Sequence, residues 1–218
     1  MSVPVSIEFF PPNTPVGHDK LVQQVVPALG ALAPEYFSVT YGAGGATRDK
    51  TLAAVRGILA SGAQAAPHLS CVGSGKAELA EILATYRQLG VRRLVALRGD
   101  LPSGTASLGE LRYAAELVAF IRETQSPQWP ELRIEVAAYP EVHPQCRYAA
   151  RDLEHFAAKM AAGADSAITQ FFFNPDAYFH FVEQVRALGV DVPIVPGIMP
   201  IHNYARIAQF AQRDGIEI

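Results

Sequence analysis

Cysteine is scarce in this chain. Cys71 and Cys146 are its only two cysteines, and they stand in no metal-ligand spacing, so both read as reduced thiols of a cytoplasmic protein. Basic runs are missing and the net charge is −3, which removes the general positive field behind most nucleic-acid and membrane-surface binding. No apolar stretch approaches spanning length, and the start, Met-Ser-Val-Pro-Val-Ser, lacks the charged and apolar parts of a signal peptide. Lysine is rare too: Lys20, Lys50, Lys76 and Lys159 all fall on expected helices or loops. A Schiff-base aldolase barrel, which wants a strand lysine, loses ground accordingly. No Gly-x-Gly-x-x-Gly follows the first strand-like run, so the Rossmann fingerprint is absent.

What is present is a regular alternation. Half of the 218 residues are hydrophobic, enough for one sizeable core and a single domain over residues 1–218. Short apolar or β-branched runs at 6–10, 36–41, 65–71, 94–97, 134–139, 167–173 and 194–199 read as strands. Helix-period segments separate them, near 18–33, 47–61, 76–89, 108–124, 147–162, 176–188 and 203–213. Gly62, Gly90, Gly163, Gly189 and Gly215 stand where helices should stop. Strand starts fall about thirty residues apart, the size of one βαβ unit. Seven such units indicate an α/β fold, either a (β/α)8 barrel of the TIM type or a doubly wound sheet. Polar residues close nearly every strand (Glu8, Thr40, His68, Arg98 with Asp100, Tyr139, Gln170). A doubly wound sheet would gather its chemistry at one switch point, so this spread favours the barrel.

Each strand end has an ordinary reading beside a functional one. Glu8, in Glu-Phe-Phe-Pro-Pro, is either paired with an arginine or a carboxyl whose pKa is raised by its bulky neighbours, as a general acid needs. Ser-Val-Thr-Tyr-Gly-Ala-Gly-Gly at 38–45 gives a strand and a glycine-rich loop that suits an anion or a flat ring, although a tight turn would also explain it. It is not a P-loop, because no Gly-Lys-Ser/Thr follows. His68 on a strand is more often a satisfied core histidine than a ligand. Arg98-Gly99-Asp100 puts two opposite charges where a buried strand leaves the core. There they meet each other or a ligand. Tyr139 and His143 suit stacking on, or hydrogen bonding to, a planar group. Asp152 and Lys159 sit seven apart on one helix, and solvated surface charges are the default for such a pair. Phe171, Phe172 and Phe173 read as core. Gln170 ahead of them is a neutral donor and acceptor suited to a heterocycle.

Taken in order, these segments resemble the methylenetetrahydrofolate reductase family. The matching pieces are Glu-Phe-Phe-Pro-Pro at 8–12, Ser-Val-Thr-Tyr-Gly-Ala at 38–43, Ala-Pro-His-Leu at 66–69 and Ala-Leu-Arg-Gly-Asp-Leu-Pro at 96–102. Further along come Ala-Ala-Tyr-Pro-Glu-Val-His-Pro at 137–144, Ala-Ile-Thr-Gln-Phe-Phe-Phe at 167–173 and Pro-Gly-Ile-Met-Pro at 196–200. The resemblance implies an FAD enzyme. NADH or NADPH reduces the flavin, which then delivers hydride to 5,10-methylenetetrahydrofolate in a ping-pong reaction of one-carbon metabolism that leads to methionine. It makes Glu8 the general acid and Asp100 a catalytic anion beside flavin and folate. Flavin contacts carried over by position are Thr40, Tyr41, Ala43, His68, Arg98, Gly99, Asp100, Tyr113, Ala114, Tyr139, His143, Asp152 and Lys159. Substrate contacts are Glu8, Asp100, Gln170, Tyr178 and Phe210, and no metal is implied.

The family's barrel runs on past the length of this chain to an eighth strand and an arginine that helps to hold folate. The expectation is therefore a (β/α)8 barrel with seven recognisable strands and its C-terminal β8 region missing. Strands one and seven would keep apolar edges that invite pairing with other chains, and a homo-oligomer is expected. The rival functions are a truncated, non-catalytic flavin- or folate-binding barrel and a barrel lyase acting on phosphorylated substrates.

Overall fold

The computed structural model describes residues 3–42, 47–100, 109–141, 146 and 148–218. They form two compact units, Met1–Ile134 and Glu135–Ile218. In the first, four parallel strands follow one another in chain order: β1 (Ile7–Phe9), β2 (Phe37–Val39), β3 (Ala65–Ser70) and β4 (Arg93–Leu97). Every residue of β2 and β3 is buried, as expected of parallel strands with both faces covered. The connecting helices are α1 (Pro15–Lys20), a π turn (Leu21–Val25), α2 (Val26–Gly30), α3 (Arg48–Ala60), α4 (Lys76–Gln88) and α5 (Ala114–Gln125). The Thr14 hydroxyl accepts from the Gly17 amide and caps α1, with Pro15 in the first helical turn, where a missing N–H costs nothing. Leu69, Leu79, Leu83, Leu94, Leu117 and Ile121 fill the core between sheet and helices. Trp129, also buried, donates its indole N–H to the Val91 carbonyl at 3.0 Å.

The second unit repeats the pattern with β5 (Arg133–Ala138), β6 (Ser166–Phe171) and β7 (Ile194–Gly197), again parallel and in order. The first two residues of β5 belong to the first unit, where the Arg133 amide donates to the Arg92 carbonyl. The helices are α6 (Ala149–Ala161), α7 (Pro175–Ala187) and α8 (Tyr204–Asp214). The Asn174 and Asn203 side chains cap α7 and α8 by accepting from Asp176 and Arg206 amides. Phe171, Ala211 and Ile216 form a buried cluster, with Phe173, Met199 and Phe210 packed on it. All five glycines expected to stop helices adopt positive φ.

The seven strands expected from sequence are thus all present among the described residues. Helix bounds agree closely except in two stretches: the first starts three residues before the expected 18 and contains the π turn, and α5 starts at Ala114, six residues after the expected 108. Among the described residues, no helix is long and apolar enough to cross a membrane, and no cluster of His, Cys, Asp and Glu could hold a metal ion.

Candidate active site

Three neighbouring strands bring the first group of side chains together. Glu8 lies opposite Ser38, and Ser38 lies opposite Ala66. Side chains two residues apart on a strand share a face, so Glu8, Ser38 and His68 project from one side of the sheet. His68 is buried, whereas the Glu8 side chain is 50% exposed. Nε2 of His68 stands 3.2 Å from Oε2 of Glu8, at ion-pair distance but off the hydrogen-bond direction. Burial pushes the Glu8 carboxyl up, yet the His68 imidazole and the Ser38 hydroxyl outweigh it, and the pKa ends below the ordinary value. This corrects the expectation of a raised Glu8: the bulky neighbours are there, but the partners that favour the carboxylate are stronger. The lone strand histidine is that partner. Ser38 was not singled out from sequence; its alternation with Thr40 in β2 was the one signal that pointed to it.

After β2, the Thr40 amide donates to the Phe9 carbonyl and so prolongs the β1–β2 pairing. The Tyr41 ring is buried. Burial and the nearby carboxylates of Glu78 and Asp49 raise the pKa of its phenol against the pull of Arg48, so Tyr41 would meet a ligand through its backbone. After β4, Arg98 is half-buried and Asp100 exposed. Between them Gly99 has φ 82°, and a Cβ there would come within 2.7 Å of Ser70 Cβ, so only glycine lets the chain turn so close to β3. The Arg98 carbonyl accepts from the Val72 amide. The Cys71 thiol lies 3.7 Å from the carbonyls of Arg98 and Tyr113. Burial lifts that thiol to about 11, which keeps it an unreactive tie between the two loops. Tyr113 is 52% exposed, and Ala114 opens α5.

In the second unit, Tyr139 and Gln170 line a small recess with Glu141 and Phe171. The Gln170 side-chain carbonyl turns back onto the Phe171 amide at 3.0 Å. Tyr178 stacks on Phe172 with 5.4 Å between centroids and donates its hydroxyl to the Ile194 carbonyl. Phe210 packs on the Phe171 cluster. Lys159 is not the solvated surface charge expected of it. Its ammonium donates to the Ala137 carbonyl and lies over the Phe156 ring. Burial holds its pKa down to about 8, against the opposing pull of Asp152. Ala43 and His143 lie outside the described residues.

In the second unit, the Lys159 ammonium, its charge disfavoured by burial, would gain from an anionic group; in the first, the exposed Tyr113 ring offers a stacking face.

A family model described as methylenetetrahydrofolate reductase matches residues 1–218. The chain belongs to the methylenetetrahydrofolate reductase family. It is 41% identical over 215 residues to the 5,10-methylenetetrahydrofolate reductase of Salmonella typhimurium, covering 98% of this chain and 70% of that one. A probable methylenetetrahydrofolate reductase (NADH) from Oryza sativa is 36% identical over 213 residues, covering 91% of this chain and 35% of that one. Among solved structures, an uncharacterized Clostridium thermocellum protein, described as binding two copies of 5-methyl-5,6,7,8-tetrahydrofolic acid, matches with a TM-score of 0.69 at 17% identity. The match covers 100% of this chain and 72% of that one, and it shows the fold: an α/β fold of the (β/α) barrel type. The family expectation from sequence is thereby met, and the chain stands among the oxidoreductases that reduce methylenetetrahydrofolate in one-carbon metabolism.

Proposed function

We propose that this family member reduces 5,10-methylenetetrahydrofolate to 5-methyltetrahydrofolate with NADH or NADPH, in two separate half-reactions, with FAD as resident cofactor. The observation that carries this reading is the Glu8–His68 pair on one sheet face, with half of the Glu8 side chain open to a substrate. Bound FAD would supply a two-electron carrier between nicotinamide and folate. Thr40, Arg98, Gly99, Tyr113 and Ala114 of the first unit are the described residues that would hold it, along with the Tyr41 backbone.

Glu8 is the proton donor for the folate. Unliganded, its carboxyl favours the ionised form. A folate laid over its exposed half removes water, and desolvation then favours the acid. His68 Nε2 stands 3.2 Å from Oε2 of the same carboxyl. Glu8 delivers the proton to N10 of the folate. The bond from N10 to the bridging methylene carbon breaks, N10 keeps the electron pair, and the methylene remains on N5 as an iminium cation ready for hydride. The exposed Asp100 carboxylate stabilises that cation.

Replacing Glu8 by Gln separates the steps, because only the folate half-reaction needs a proton on N10. Stopped-flow spectroscopy of Glu8→Gln is expected to show flavin reduction near the wild-type rate and folate reduction slowed about 10²- to 10⁴-fold. Equal losses in both halves would overturn Glu8 as the folate acid.

A further inference from the structure

Two threonines outside the set just described form a closed circuit around the turn after β2. The Gly42 amide donates to Thr47 Oγ1 at 2.7 Å. Thr47 Oγ1 lies 3.2 Å from Thr51 Oγ1, and the Thr51 hydroxyl donates to the Thr40 carbonyl at 2.8 Å. A hydroxyl has a single proton to give. Thr51 spends its proton on Thr40, so the bond between the two hydroxyls runs from Thr47 to Thr51, and the circuit is polarised in one direction. A backbone bond from the Thr51 amide to the Thr47 carbonyl, 2.7 Å long, fixes the spacing of the two threonines.

The consequence lies in what this circuit grips. Thr40 is held on both sides, its amide by Phe9 and its carbonyl by Thr51, and Gly42 is held by its amide. Tyr41 between them is anchored by its buried ring. The space at Gly42 that a glycine-rich turn would offer to a ligand is filled: a Cβ there would come within 2.8 Å of Thr47 Cγ2. Thr51 itself is fully buried, a costly place for a hydroxyl unless its bonds are made.

The geometry points to Thr47 and Thr51 as positioning residues for the ligand-binding turn after β2. Their two hydroxyls fix the backbone of Thr40 and Gly42 in the conformation that FAD contacts. This inference rests on the flavin reading above. Neither threonine touches the ligand; each acts through the backbone it holds.

Thr51→Val keeps the shape of the side chain and removes the donor, while Thr51→Ser keeps the donor and removes a methyl. Flavin fluorescence titration of the full chain is expected to show FAD affinity about tenfold weaker in Thr51→Val, as for one lost buried hydrogen bond, and near wild type in Thr51→Ser. Amide exchange at Gly42 should quicken in Thr51→Val alone. FAD affinity unchanged in Thr51→Val, or equally weakened in Thr51→Ser, would overturn the assignment, the second result pointing to packing instead of the hydroxyl. Should Thr51→Val not fold, Thr47→Val, at a less buried site, carries the same test. No FAD binding by the wild-type chain would sink the flavin reading and the ligand half of this inference. Exchange at Gly42 would still decide whether the circuit holds the turn.

Discussion

Glu8, His68 and Lys159 each depart from what their sequence neighbours suggest, because the deciding partner comes from elsewhere in the chain. For Glu8 it is an imidazole on β3, sixty residues away, and no local pattern announces that pairing. For Lys159 it is the end of β5, whose Ala137 carbonyl draws the ammonium off the helix surface. The lysine consequence is measurable as a pH dependence of stability. Its pKa falls from the ordinary lysine value of 10.5 to about 8 in the folded chain. Between those values the unfolded chain holds the proton and the folded chain has released it, so stability rises with pH over that interval. Below about pH 8 the folded chain carries a disfavoured charge. Lys159→Met should therefore be more stable than wild type at pH 7, and its advantage should shrink as pH climbs from about 8 to 10.5. Urea unfolding at a series of pH values checks this; a difference independent of pH would mean that the amine is not held in its buried position.

Among the elements, strands were the legible part. Runs such as Leu94–Leu97 have no other plausible setting than a covered parallel strand, and the spacing of roughly thirty residues assigns a helix to each gap. The first helical stretch was less legible. Thr14 and Pro15 were the signal for its earlier start, and the π turn at Leu21–Val25 has no mark of its own in the sequence. The structure shows its setting: a Cβ on Gly57 of α3 would stand 2.4 Å from Val22 Cγ2, so the two segments pack where only glycine fits. The circuit of Thr47 and Thr51 was illegible for a related reason. Two threonines four apart at a helix start look like ordinary capping, and their meaning depends on the Thr40 carbonyl returning to them. The pairing of β6 with β7 yields a prediction at this scale. A Cβ on Gly197 would come within 2.3 Å of the Thr169 carbonyl oxygen and 3.3 Å of the Gln170 carbonyl carbon. Neither is a flexible tip that could move aside. Gly197→Ala should cost about 1–3 kcal/mol in urea unfolding, as overpacking does. A neutral result would mean that β7 can slide on β6 without loss.

At the scale of the whole chain, the structure resolves two compact units. Where the division falls decides how the chain should unfold. Domains that fold independently are usually joined by an exposed linker crossed by few contacts. Here the boundary at Ile134 and Glu135 lies inside β5, with Ile134 and Glu135 both buried. Parting the units there would break β5 in its middle. Breaking a strand in its middle is unfavourable to any state with one unit folded and the other not. The single tryptophan provides a reporter for the first unit alone, since Trp129 is buried there against Val91. Far-ultraviolet circular dichroism reports the helices of both units. In urea, the Trp129 fluorescence and circular dichroism curves should coincide, as one cooperative transition requires. Separate midpoints would show instead that β5 can part at its centre and that the two units are stable on their own.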